Sequence, residues 1–478
     1  MLDFAAMSDE KPTENTRAGR LARLAETFTH LAERFVPDAY VFALLATVLV
    51  ALAALIHGSS PAQIADAWGG TFWELLPFTL QMALIVITGH VLASAGPVRR
   101  VVLTLAALPT SARGAVAFVA FVAMSTSWFN WGFSLVFTAL LAKQIARRMP
   151  RVDYRTLAAA SFLGLGSVWA QGLSGSAALQ VATPAALPAE IRAVIANDGQ
   201  IADGLLPFRH TIFLWQSLLA VAIEITLVTT LMYFAAPRED RAIPASALSI
   251  PLDEPAHVDP PIRLRSLEHG PWLSFAVFAI GAYYIIRTLR AAGDLGGAIT
   301  LNVLNLFFLL LGIAFHRTPA RLARAFAEAT PPVWGILLQY PFYAGVAGML
   351  TKSGLSDRIA TAFVAASTKL TLPALVSAYS TVLGVFVPSG GSKWVIEAPY
   401  VLGAAHRAGV HVGWMVAVYD LGEALANLVQ PFWMLPILGI FRLRAKDVMG
   451  VTSLVFLVLL PVVLVLVTVL GATLPYPL

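Results

Sequence analysis

Apolar residues fall in blocks of close to the ~20 residues that a helix needs to cross the hydrocarbon core of a bilayer. Polar, Pro-bearing or Gly-bearing joints separate the blocks. Four such blocks, at about 38–56, 72–95, 154–171 and 210–234, make a first half. Five more, at about 272–288, 298–315, 333–350, 412–430 and 448–470, make a second, for about nine crossings. Between the halves, 235–267 is rich in Pro, Asp, Glu and Arg and has no sustained periodicity, which predicts a solvated linker. Ahead of the first block, Leu21, Leu24, Phe28, Leu31 and Phe35 share one helical face, and Arg20, Arg23, Glu26 and Arg34 lie mostly on the other. That pattern predicts a helix lying in the membrane interface.

Two further apolar stretches are interrupted near their middles. The first, 115–147, breaks at Ser127-Trp128-Phe129-Asn130-Trp131-Gly132. Its leading arm is read as about 12 residues, about 18 Å of helix, too short for a core of about 30 Å. The second, 372–408, breaks at Pro388-Ser389-Gly390-Gly391-Ser392, where Pro removes a donor and paired Gly permits non-helical backbone. Both are expected to be re-entrant hairpins, with irregular backbone shielded by protein or facing a water-filled cavity.

The halves read as copies. A shift of 258 positions places Pro61 on Pro319, Gln81 on Gln339, Leu92 on Leu350, Gly96 on Gly354, Arg100 on Arg358, Gly132 on Gly390 and Ser134 on Ser392. After a shortened connection, Gly175, Ala177, Gln180 and Pro184 fall on Gly422, Ala424, Asn427 and Pro431. The expected fold is an all-α polytopic membrane protein. Its parts are a cytoplasmic N-terminus (1–37), a first repeat (38–235, hairpin about 114–148), a linker (236–270), a connecting helix (271–297) and a second repeat (298–478, hairpin about 371–408). Five crossings separate the starts of the copies, and an odd number inverts the second. With the N-terminus inside, cytoplasmic segments hold about 22 of the 32 Lys and Arg, as positive charge distribution favours. The C-terminus then lies outside, and the hairpins enter from opposite faces, the inverted-repeat plan of secondary transporters.

Composition agrees: 58% of residues are hydrophobic and only 12% charged, which excludes an ordinary soluble enzyme. The net charge of +5 is spread over short loops without aromatic interleaving, so no nucleic-acid partner is expected. With no Cys there are no disulfides, thiolate metal sites or Cys nucleophiles. The polar first twenty residues do not follow signal-peptide order, and the N-terminus is expected to be retained. No phosphate loop, zinc-binding His-Glu-x-x-His or nucleophile elbow is present, so neither catalysis nor a cofactor is expected.

Unpaired N–H groups and helix dipoles at a hairpin tip favour an anion. The candidate substrate-binding residues are therefore Asn130 and Gly132 at the first tip and Ser389, Gly390, Gly391 and Ser392 at the second. Ser174, Gly175 and Ser176 lie in a predicted break before Gln180, Thr183 and Pro184, and with Asn427 and Gln430 they are expected to complete the polar shell around the substrate. The corresponding span carries Asp420, Glu423, Asn427 and Gln430 on one helical stripe, where buried carboxylates favour cation coupling. Glu423, Asp420, Asn427, Thr183 and Ser134 are the coupling candidates, taking H⁺ or coordinating Na⁺, the latter near Asn130 and Ser389. His90 reads equally as a core histidine or as a substrate or proton contact. Lys393 and Glu397, four apart, form a local ion pair, or Lys393 meets an anionic substrate. Asn302 and Asn305 read as interhelical glue, and Glu224 lies mid-span with no partner visible in sequence.

Several strings resemble the bacterial short-chain fatty acid transporter family, which includes acetoacetate and butyrate uptake proteins. They are Trp68-Gly69-Gly70 with Phe72-Trp73, Gln81-Met82-Ala83-Leu84-Ile85 through Thr88-Gly89-His90, Asn130-Trp131-Gly132-Phe133, Ser174-Gly175-Ser176, Thr183-Pro184, Gln339-Tyr340-Pro341-Phe342-Tyr343-Ala344-Gly345, Val387-Pro388-Ser389-Gly390-Gly391, Gly422-Glu423 and Gln430-Pro431-Phe432-Trp433. The resemblance runs through nearly all of the chain after about residue 20. It implies uptake of short monocarboxylates across the bacterial inner membrane, and the family's resemblance to a wider ion-transporter superfamily implies elevator motion and a homodimer; cation coupling is the expectation from the buried carboxylates. A carrier of dicarboxylates or other organic anions is the alternative, and a passive channel or membrane enzyme a remoter one. Family members continue the second tip with a third Gly, a neutral or His residue, and Gln before Gly-Pro. This chain instead has Ser392, Lys393, Glu397 and Ala398, and Asp420 is an extra carboxylate.

Overall fold

A computed structural model describes residues 39–478 except 198, 253–261, 265, 292–298, 387–389 and 431. The interfacial helix expected at 21–36 lies outside the described residues. The first half contains α1 (Ala39–Ile56), α2 (Pro61–Thr71), α3 (Leu76–Ser94), α4 (Gly96–Leu105), α5 (Ala112–Phe129), α6 (Trp131–Arg148), α7 (Tyr154–Leu163), α8 (Ser176–Ala182), α9 (Ala189–Ala196) and α10 (Trp215–Ala235). A connecting helix, α11 (Trp272–Ala291), follows. The second half contains α12 (Leu301–His316), α13 (Pro319–Ala329), α14 (Trp334–Lys352), α15 (Leu355–Ala365), α16 (Leu372–Phe386), α17 (Gly390–Ala408), α18 (Val412–Ala426), α19 (Leu435–Phe441) and α20 (Ala445–Gly471).

The internal repeat is visible in these boundaries. Shifted by the 258 positions read from the sequence, α2 coincides with α13 and α3 with α14 at both ends. One local cause is repeated too: Ser60 and Thr318 each cap the helix that follows, accepting from Gln63 N at 3.2 Å and Arg321 N at 3.4 Å, with Pro at the first helical position. Packing is reciprocal between the halves. Helix α2 packs on α14 and α13 on α3; α1 lies on α14 and α12 on α3; α3 supports α6 and α14 supports α17. Asn302 and Asn305 act as glue, since Gln81 Nε2 donates to Asn302 Oδ1 and Asn305 Nδ2 to the Gln81 carbonyl.

Both hairpins fold back on themselves. Ser134 Oγ, in α6, donates to the Ala123 carbonyl at 2.8 Å and accepts from Thr126 Oγ1 at 2.9 Å in α5. Two collinear helices would hold these residues more than 10 Å apart. In the second hairpin, Lys393 Nζ of α17 donates to the Ser380 carbonyl of α16.

Among the described residues, α3, α5, α10, α11 and α20 are long and apolar enough to cross a membrane. The presence of α5 corrects the expected 12-residue arm. Ser111 caps the helix by accepting from Gly114 N, so the arm starts earlier and has 18 residues, about 27 Å. Its length does not forbid a crossing.

Candidate functional site

Each half contains a discontinuous helix after its hairpin. α7 passes into a π turn at Gly164–Val168 and a 3₁₀ turn at Trp169–Gln171, unwinds through 172–175 and resumes as α8. Gly164 is required where the π turn meets α5, because a Cβ there would overlap the Ala123 carbonyl. Gly172 faces the Trp128 carbonyl as closely. α18 ends at Ala426, and the chain turns through Asn427 before resuming as α19.

These breaks meet the hairpin tips. Leu173 N donates to the Trp128 carbonyl at 2.7 Å, and Trp131 N to Ser174 Oγ at 3.1 Å, so the first break is stitched to the first tip. Two residues on, Ser176 lies against the second tip: a Cβ on Gly391 would stand 3.2 Å from Ser176 Oγ. Gly390 similarly abuts the Trp169 indole. Trp169 also contacts Trp131, with ring centroids 6.1 Å apart, so it spans from one tip to the other. From α3, Gly89 closes over Asn130 and Phe133 N, while Gly132 sits beside Val86.

Several polar atoms here are buried with no hydrogen-bond partner: Asn130 Nδ2, Trp131 Nε1, Trp169 Nε1 and both amide atoms of Gln180. Asn130 Oδ1 is already used, accepting from Phe133 N at 2.8 Å to cap α6. Buried donors are ordinarily satisfied, and leaving one unpaired costs about 1–3 kcal/mol. Orphan N–H groups bordered by indole faces suit a small carboxylate with a short apolar tail. Asn130 and Ser174 were expected at this place; Trp131 and Trp169 were not, because an indole in an apolar run looks like core.

The remaining candidates are distributed differently. Asn427 Nδ2 donates to the Leu165 carbonyl at 3.0 Å, and Gln430 Nε2 to Asn427 Oδ1 at 2.8 Å, which ties the second break to the π turn of the first. Gly175 N closes the unwound turn onto the Gly172 carbonyl. Thr183 Oγ1 accepts from Leu301 N at 3.1 Å and Ser134 stitches its hairpin, so both coupling candidates have structural partners. His90 lies near Glu328 of α13, while its neighbour Gly89 faces the tip. Ser389 and the Ser392 side chain lie outside the described residues.

Lys393 is engaged by two carboxylates. Its ammonium sits 2.7 Å from Glu397 Oε1 and 2.8 Å from Glu423 Oε2, all three side chains being 0–1% exposed. It also lies 4.3 Å from the Tyr419 ring centroid. Ser380 Oγ donates to the other Glu397 oxygen, and Tyr419 OH to the Gly390 carbonyl, which anchors this cluster to the second tip. The local Lys393–Glu397 pair was legible from spacing; its third member, from another helix, was not. Glu224 likewise has a partner, Gln171 Nε2 at 2.9 Å. No group of three or more His, Cys, Asp or Glu positioned to hold a metal ion occurs among the described residues.

Comparisons with known proteins agree on this architecture. The chain superposes on the crystal structure of the Alcanivorax borkumensis YdaH transporter, noted for an unusual topology, with a TM-score of 0.61 and 16% identity over 92% of this chain and 99% of that one. It superposes on Neisseria gonorrhoeae MtrF, described within a class of antimetabolite efflux pumps, with a TM-score of 0.58 and 14% identity over 95% and 99%. At those identities the likeness is one of fold. Sequence relatives are nearer: proteins of Escherichia coli (strain K12) and Haemophilus influenzae (strain ATCC 51907 / DSM 11121 / KW20 / Rd), both with the provisional name of short-chain fatty acid transporter, are 34% and 33% identical. Each alignment covers 91% of this chain and 97% of the relative. The family model for short chain fatty acid transporters matches residues 20–470, and this membrane protein belongs to that family.

Proposed function

We propose that the chain carries short-chain monocarboxylates, such as butyrate and acetoacetate, into the cell by cation-coupled symport, with the carboxylate held between the two hairpin tips. The observation that carries this reading is the group of orphan donors, Asn130 Nδ2, Trp131 Nε1 and Trp169 Nε1, where both tips meet the break between Ser174 and Ser176. A carboxylate satisfies such N–H groups through charge-assisted bonds, and the indole walls accept a tail of a few carbons. Doubly charged acids would bring a second desolvated charge against Trp131 and Trp169.

Alternating access follows from the repeat. The tips enter from opposite faces in the inverted topology, and the hairpins with their broken helices move as one body against α1–α3 and α12–α14, an elevator motion. Coupling to a cation is supported by the buried carboxylates of α18. The inner membrane is the expected location, with the N-terminus cytoplasmic.

The test is uptake of labelled butyrate and acetoacetate by the purified protein in liposomes, with a panel of competing acids. Saturable uptake inhibited by other short monocarboxylates and not by succinate supports the reading. Equal inhibition by succinate would move the assignment to a broader organic-anion carrier, and uptake that never exceeds equilibration under any ion gradient would indicate a channel.

A further inference from the structure

We infer that Lys393 occupies, as a tethered ammonium, the position a metal cation would take at the centre of this carrier, and that the coupling ion is a proton carried by Asp420 and Glu423 of α18. The inference rests on the transport reading above and identifies its driving ion.

The first argument is charge. One ammonium, Lys393, faces two carboxylates, Glu397 and Glu423, at 2.7 and 2.8 Å in a fully buried setting. Asp420, 3% exposed, lies three residues before Glu423 on the same helix face. Among the described residues no Lys or Arg pairs with Asp420. With every group ionised, three negative charges would meet one positive charge. An unpaired ion at that depth costs several kcal/mol, so the excess carboxylates hold protons when no other cation is present. The other titratable groups facing the cluster are phenols: Tyr379 of α16, Tyr400 of α17 and Tyr419 of α18. They add no positive charge. The ammonium already fills the space between Glu397 and Glu423 where a bare cation would bind both, which disfavours sodium there.

The second argument is access. Asp420 borders a small gap of ≈ 10 Å³, also lined by Gln171, Thr211 and Ser217. That volume is about enough for one water. Two polar atoms around it, Gln171 Oε1 and Thr211 Oγ1, are buried and have no hydrogen-bond partner. Gln171 in turn binds Glu224, a further buried carboxyl. A water in this gap would satisfy the orphan atoms and bring a donor to Asp420. In the transport cycle, an O–H bond of hydronium breaks on the loading side, leaving water, as an O–H bond forms on the α18 carboxylate. The reverse transfer, to cytoplasmic water, follows on release.

The experiment uses the full-length protein in liposomes with the membrane potential clamped. Labelled butyrate is driven by a pH gradient or a Na⁺ gradient separately, and leakage of the neutral acid through protein-free liposomes is subtracted. The expected result is accelerated accumulation with acid outside, approaching ~10-fold per unit of pH difference for one proton per substrate, and no change when Na⁺ is replaced by choline. Accumulation that follows Na⁺ and ignores pH overturns the inference and leaves the transport reading standing. No butyrate movement under either gradient overturns the transport reading itself. Glu423→Gln retains the 2.7 Å Lys393–Glu397 pair, and Asp420→Asn leaves the triad intact. At least one of them should lose pH-driven accumulation while still exchanging labelled for unlabelled butyrate; wild-type accumulation in both overturns the inference.

Discussion

Asn427 donates to the carbonyl of Leu165 at 3.0 Å, so the break in the second repeat's helix is fastened to the π turn in the first. The same side chain accepts from Gln430, which completes a bridge between the two discontinuous helices. Asn427→Ala leaves Gln430 Nε2 without this acceptor in a buried setting. The expected outcome is a loss of about 1–3 kcal/mol in stability, read as a lower thermal midpoint of the purified protein, with Asn427→Asp no better because it cannot donate to the carbonyl when ionised.

Orphan donors make the opposite prediction. Trp169→Phe keeps most of the ring that packs on Trp131 and Gly390 but removes an N–H that has no partner. Without substrate, the variant should be at least as stable as the wild type, since an unsatisfied group is gone. Its KM for butyrate should rise by about 10-fold or more, the worth of one hydrogen bond to a charged group. An unchanged KM would remove Trp169 from the binding shell.

The unwound stretch between α7 and α8 depends on backbones too close for a side chain. A Cβ at Gly172 would overlap the Trp128 carbonyl, and one at Gly175 the Ala170 carbonyl. Gly172→Ala and Gly175→Ala should therefore cost several kcal/mol through displacement of the first tip, seen as poor yield of folded protein and lost uptake. Gly69, on α2, has open space around its would-be Cβ, and Gly69→Ala is the matched control that should behave as wild type.

His411 gives the fold a dependence on acid that is separate from transport. It caps α18 by accepting from Trp414 N at 3.0 Å, which requires a neutral Nδ1. Burial, and secondarily the neighbouring His210, push its pKa from the ordinary 6.5 down to about 4. Between those values the unfolded chain binds a proton that the folded chain does not. Stability is therefore unaffected above pH 6.5 and falls as pH drops toward 4, with a loss approaching about 3 kcal/mol below that. His411→Asn, which caps without titrating, should flatten the thermal midpoint between pH 4.5 and 7.

Much of this organisation was written in local pattern. The Ser60-Pro61 and Thr318-Pro319 starts sit 258 residues apart and define matching helices, because capping and Pro geometry act within one turn. The same shift brought Gly132 onto Gly390 and located both tips. Where the reading fell short, the missing information lay in contacts between distant segments. Ser111 fixes an earlier start for α5 than hydropathy suggests. Lys393 reaches Glu423 across 30 positions, and Gln171 reaches Glu224 across 53; no periodicity encodes either pairing. Trp131 and Trp169 were hidden for another reason: what singles them out shows only in the partners that their N–H groups lack.

The central claim is that substrate carboxylate occupies the space between the tips. Anomalous diffraction from crystals grown with 4-bromobutyrate would locate the tail by its bromine and the carboxylate by its density. The account predicts one bromine packed against the Trp131 and Trp169 rings, with carboxylate oxygens within hydrogen-bond distance of Asn130 Nδ2. A bromine site elsewhere, with that space empty at saturating ligand, would contradict it.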